Sequence, residues 1–159
     1  MEAPPTSPPL LPLDDERWAT LAHAYGPAVA TPNALRAIEA ASGPLFSPSL
    51  ADMRANPTPW EHIVVAVLHQ GSVYSAAYAA LPHLVRIAVD QTGLRGEVLS
   101  ALGTALVGYP VAPCPIDLLD GWRWAQTTAR TWAPPHGLEG YPMAFQLRGF
   151  LALRHVNEL

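Results

Sequence analysis

Apolar positions recur at helical spacing along most of the chain, and no stretch alternates convincingly with a period of two. In "DDERWATLAHAY", Trp18, Leu21, Ala22 and Tyr25 fall at i, i+3, i+4 and i+7, acids fill the first turn and Gly26 follows. That spacing predicts a helix over roughly 14–25. A second helix is signalled by Thr31 as N-cap, Pro32 at the first helical position, a face of Leu35, Ile38 and Ala41, and Gly43 as its close. One further turn is predicted over 50–54. The strongest start is "TPWE", in which Thr58 is the N-cap, Pro59 the first helical residue and Glu61 the third, a capping box. The helix it opens directs Trp60, Ile63, Val64, Val67 and Leu68 inward and ends near Gln70, with Gly71 in a left-handed conformation.

Ser72 is then expected to cap the next helix, Val73 to about Gln91, so that the two helices fold back on each other as an αα-hairpin. This second helix is apolar nearly all round, as a helix buried on several sides must be. Pro82 lies inside it and predicts a kink, because it removes one backbone hydrogen bond and crowds the carbonyl of Tyr78. Helical spacing continues through Val98, Leu99, Leu102, Ala105 and Leu106. A proline-broken loop over 109–115 follows, then Leu118, Leu119, Trp122, Ala125 and Ala129, and a last helix over about 138–155. The pattern is all-α: antiparallel helix pairs stacked as a short solenoid or bundle.

The segment "WEHIVVAVLHQGSVYSAAYAALPHLVRIA", Trp60 to Ala88, resembles a recurring segment of bacterial HEAT-repeat-like proteins. There a helix ends in His-Gln-Gly-Thr-Val-Tyr and a small-residue helix with a proline follows. Ser72 stands where that pattern has Thr, which keeps the capping hydroxyl. The match covers about thirty residues; the later helices are only compatible with it. The resemblance implies a HEAT/armadillo-like α-solenoid and protein–protein binding, and it brings no catalytic residues. No exact internal repeat is visible, so the stacking follows from helix pairing alone.

Composition narrows the classes. With 159 residues, half of them apolar and 14% charged, the chain has material for one domain. Five prolines within residues 1–12 predict an extended, flexible arm ahead of a single all-α domain over 13–159. A net charge of −4, with nine scattered arginines and no lysine, argues against nucleic acid as a partner. The single cysteine, Cys114, excludes a disulfide within the chain and a multi-cysteine zinc site. No cofactor or metal is implied. The uncharged stretch between His62 and Val85 is interrupted by His69, Gln70, Gly71 and Ser72, which suits a corner better than a membrane span. The N-terminus lacks the basic region of a secretory signal, so a cytoplasmic protein is expected.

Three constellations stand out. At the His69–Gln70–Gly71–Ser72 corner a histidine beside free helix-terminal N–H groups is a candidate general base, although capping alone accounts for each residue type. His83, Arg86 and Asp90, at i, i+3 and i+7, form a candidate polar edge on a solvated face. Trp122, Arg123, Trp124 and Arg130 are of the types enriched at binding hot spots. Trp122 and Trp124, about 200° apart on a helix, cannot both face one core. Cys114 shows no cause for a reactive thiolate.

The leading expectation is a non-catalytic helical-repeat protein that binds another protein, in a specific form an immunity-type inhibitor of a bacterial toxin. The alternatives are an enzyme or small-molecule binder using the His69–Tyr74 corner with Tyr78 and His83, and a homo-oligomeric structural protein.

Overall fold

The structure, a computed structural model, describes residues 8–132. It is predominantly helical. Among the described residues the α-helices are α1 (Thr31–Glu39), α2 (Leu50–Ala55), α3 (Pro59–Val67), α4 (Ala77–Asp90), α5 (Arg95–Val107) and α6 (Leu119–Arg130). Two-residue strands β1 (Ala22–His23) and β2 (Gly26–Pro27) form an antiparallel hairpin, and β3 (Ser72–Val73) pairs in parallel with β4 (Tyr109–Pro110). The helix expected over 138–155 lies outside the described residues.

Helix α4 is the centre of the fold. Eleven of its residues, from Ala77 to Ala88, are buried, and α1, α5 and α6 pack around it. Its alanines let those neighbours approach closely, and the helix continues through Pro82. Helix α3 lies mainly against α1, so the expected α3–α4 hairpin is replaced by α1–α3 and α4–α5–α6 packing. The core unites Trp18, Leu35, Ile63, Leu81, Leu84, Leu102 and Trp122 across these elements.

Two predicted helices are shorter than their apolar spacing suggests. Over 14–25 the Asp15 carboxylate accepts from the Arg17 N–H and caps only a 3₁₀ turn, Glu16–Ala19. The chain beyond then bonds elsewhere: Ala22 N–H donates to Ser75 Oγ, and Ala24 N–H to the Ala66 carbonyl. Trp18 and Leu21 are buried as expected, while Tyr25 is left at the exposed hairpin tip. The second shortened helix is α4. Ser72 is extended in β3 and does not cap it; α4 starts at Ala77, four residues beyond the expected Val73, without a side-chain cap.

The described part of the proline-rich segment, residues 8–12, lies against the domain, where a flexible arm was expected. The Leu11 carbonyl accepts from His83 Nε2 at 2.7 Å, and the Pro12 carbonyl accepts from Trp18 Nε1 at 2.9 Å. Gly121 admits this segment, because a Cβ there would stand 2.5 Å from the Pro9 carbonyl oxygen.

Candidate functional site

The capping box before α3 is present in full. Thr58 Oγ1 accepts from the Glu61 N–H, and the Glu61 carboxylate accepts from the Thr58 N–H at 2.9 Å. Glu61 does more than cap. It is buried, and it also accepts from the Ser47 N–H at 2.6 Å and the Ser47 hydroxyl at 2.7 Å, which ties the 44–49 loop to α3. Burial pushes the Glu61 pKa up, but these hydrogen bonds outweigh it and hold the carboxyl below its ordinary value.

At the far end of α3 the chain turns through two left-handed residues, Gln70 (φ 52°) and Gly71 (φ 83°). The glycine takes the conformation its lack of a Cβ allows, but the helix has already ended at Val67. The Val67 carbonyl is taken by the Tyr74 N–H, and the Val73 carbonyl by the Val111 N–H. The corner is therefore a nine-residue turn stitched to the β4 segment, from Leu68 to Ala76, and not a tight hinge between two helices. Gly108 makes that stitching possible: a Cβ there would sit 2.8 Å from the Gly71 carbonyl oxygen and 2.8 Å from Val73 Cγ2.

His69 does not cap its helix. Its Nδ1 lies 3.2 Å from the Tyr25 hydroxyl, with the two rings edge to face at 5.4 Å. Tyr25 in turn stands beside His23 (6.2 Å), and His23 beside His62 (6.4 Å). The hairpin tip thus lines up His62, His23, Tyr25 and His69 along one side of α3. The Tyr25 N–H donates to His23 Nδ1 at 3.1 Å, so in the neutral ring the proton is on Nε2. Burial, and then the nearby His62, lower the His23 pKa. His62 Nε2 is shielded from solvent and has no hydrogen-bond partner among the described residues.

Two clefts flank this row, with Val65 on the wall of both. One, of about 370 Å³, lies between α3 and α5 and is lined by Trp60, His69, Gln70, Glu97, Ser100 and Thr104 among others. The other, of about 330 Å³, lies between the hairpin, α2 and α3, and its walls include His23, Tyr25, Met53, Arg54 and His62. Both are of a size for a small ligand. His23 and Tyr25 went unnoticed in the sequence because they read as helix positions. The one sequence signal for a turn there is the glycine in "HAYG".

The other sequence-derived candidates are dispersed. His83 is not on a solvated edge: it is buried, bonded to the Leu11 carbonyl and packed beside Trp18 at 6.1 Å. Arg86 pairs with Glu39 at 2.7 Å, and Asp90 is exposed at the end of α4. Trp122 is buried edge-on against Tyr78 at 5.3 Å, Trp124 is half-buried against the core, and Arg123 is exposed. Arg130 is half-buried, and Trp132 lies under the Arg95 guanidinium at 5.1 Å. Trp122 and Trp124 face different ways, as their spacing requires, but they do not form one exposed surface. Burial first, and Asp117 second, raise the Cys114 thiol pKa, which keeps the thiol protonated.

Among the described residues no group of three or more His, Cys, Asp or Glu side chains is placed to hold a metal ion, and no helix is long and apolar enough to cross a membrane. No protein-family model matches the chain, and neither a curated protein nor a solved structure is significantly similar to it.

Proposed function

We propose that this is a non-catalytic, HEAT-like helical protein that works by binding another protein. One observation carries the reading. Within ten residues at the β4 corner, Val107, Tyr109, Val111 and Ile116 are 58%, 81%, 60% and 85% exposed. Four large exposed apolar side chains so close in sequence, around the short β3–β4 pairing, suit a surface that is covered in use. The small, acidic chain suits an immunity-type inhibitor that occludes a bacterial toxin, a cytoplasmic role. The binding surface differs from the tryptophan–arginine face expected of α6, because Trp122 is spent in the core.

The test is affinity capture from the native host with the wild type and a Tyr109→Asp/Ile116→Asp variant. Both substituted side chains are exposed, so the fold survives. A stoichiometric partner held by the wild type and lost by the variant is the expected result. Equal capture by both places the partner elsewhere and defeats the reading. Light scattering distinguishes the homo-oligomer, in which the same edge would pair two copies.

A second reading is favoured by the cleft beside His69: a small-molecule binder at the His69–Tyr74 corner. A concave space adjoins the imidazole, and that imidazole is engaged by a phenol and not by backbone carbonyls. Tyr78 and His83 do not join it, since both are buried elsewhere in the core. A ligand screen in which His69→Ala abolishes a thermal shift seen with the wild type supports this reading. Shifts that survive the substitution exclude it.

A further inference from the structure

The cleft between the β1–β2 hairpin, α2 and α3 contains polar groups that the fold itself does not use. Glu61, on its wall, is fully committed: its two oxygens accept from Ser47 and Thr58, so its hydrogen-bonding capacity is used by structural donors while its charge remains. Two other groups, Arg54 and His23, are not committed. Arg54, exposed at the mouth, makes no hydrogen bond or ion pair among the described residues. His62 belongs to the wall, its Nε2 withdrawn from water and without a hydrogen-bond partner among the described residues. His23 is fixed by the Tyr25 N–H so that its Nε2–H is a donor. The rest of the wall is apolar or aromatic: Met53, Pro57, Val65, Ala66 and the Tyr25 ring.

We propose that this cleft binds a small carboxylate with a flat apolar body. The planar Arg54 guanidinium pairs with the carboxylate at the mouth, where two parallel N–H···O bonds match its geometry. Apolar atoms of the ligand lie along Val65, Ala66 and Met53 and against the ring faces of His23 and His62. Glu61 disfavours a second negative charge deep in the cleft, which keeps the carboxylate at the mouth and its apolar end inward. A cationic ligand would have only the committed Glu61 to pair with and would meet Arg54 on entry. This site is separate from the Val107–Ile116 edge and stands or falls independently of partner binding.

Benzoate is a suitable probe, with benzamide and benzylamine as its neutral and cationic counterparts. Titrations are followed by NMR on the full chain, reading the His62 and His23 ring resonances and the Arg54 side chain. Benzoate should give saturable shifts at all three, with benzamide and benzylamine at least tenfold weaker. Arg54→Gln should weaken benzoate at least tenfold while leaving the amide spectrum otherwise unchanged. Arg36→Gln, on a different face, should leave the affinity as it was. The proposal is overturned by the absence of saturable shifts at His62 in the wild type. It is equally overturned if benzamide or benzylamine binds as tightly as benzoate, or if Arg54→Gln binds benzoate like the wild type.

Discussion

Replacing Glu61 by Gln changes one atom and should destabilise the domain by about 2–3 kcal/mol. The carboxylate accepts from three donors, the Ser47 N–H and hydroxyl and the Thr58 N–H. A glutamine amide can present an oxygen to only one side. If its NH₂ group replaces Oε1 it confronts the Ser47 N–H; if it replaces Oε2 it confronts the Thr58 N–H. Either way one backbone donor loses its acceptor, at roughly 1–3 kcal/mol, and the surviving bonds lose their charge assistance. For a chain of this size that corresponds to a fall in Tm of roughly 4–12 °C. The pH dependence provides a second, signed test. The folded-state pKa of Glu61 lies below its ordinary value of 4.5, so the unfolded chain takes up the proton first as pH falls. The stabilisation is therefore complete above that ordinary value and is lost as pH drops through the folded one. Urea denaturation at pH 7 and at several points between 5 and 3 measures both effects. The wild type should lose its advantage over Glu61→Gln across the acid range. A variant within about 0.5 kcal/mol of the wild type at pH 7, or a stability difference that does not shrink in acid, would show that the three bonds to Glu61 do not stabilise the fold.

Other substitutions probe other parts of the account. Gly108→Ala should cost about 1–3 kcal/mol by denaturant unfolding, since the new methyl meets the Gly71 carbonyl and Val73 at 2.8 Å in a packed corner. His83 has its pKa lowered, first by burial and then by Arg86, against the opposing Leu11 bond and Glu39. Its unfolded form thus protonates first, and stability falls as pH drops below about 6.5; His83→Gln should flatten that part of the pH–stability curve, and an unchanged slope would acquit His83. Trp122→Ala should cost about 3–5 kcal/mol, and Trp124→Ala less than half of that, because only Trp122 is buried against Tyr78. Thermal unfolding of the two variants checks the order.

What the sequence disclosed was local physics. The Thr58–Glu61 capping box, the proline at the start of α1 and the all-round apolar surface of α4 are decided by residues within a few positions of one another, and all three are present in the fold. Where distant partners compete for the backbone, spacing misled. Residues 14–25 have helical periodicity, yet beyond Thr20 the N–H groups of Ala22 and Ala24 are taken by Ser75 and Ala66, and the chain forms a hairpin. Val73 reads as the start of a helix, but its pairing with Pro110 draws it into β3. The row His62–His23–Tyr25–His69 joins a hairpin tip to a helix some forty residues away, so neither half of it signals the other. His83 looked solvated because its partner, the Leu11 carbonyl, belongs to a segment whose prolines suggested a free arm.

The Val107–Ile116 edge is proposed as the binding surface for another protein. Hydrogen exchange followed by mass spectrometry, on the protein alone and on the complex recovered from its native host, tests it most directly. Exchange at the amides of 107–118 should slow in the complex, with the α2 amides unaffected. A stoichiometric complex in which 107–118 exchange as fast as in the free protein would contradict it.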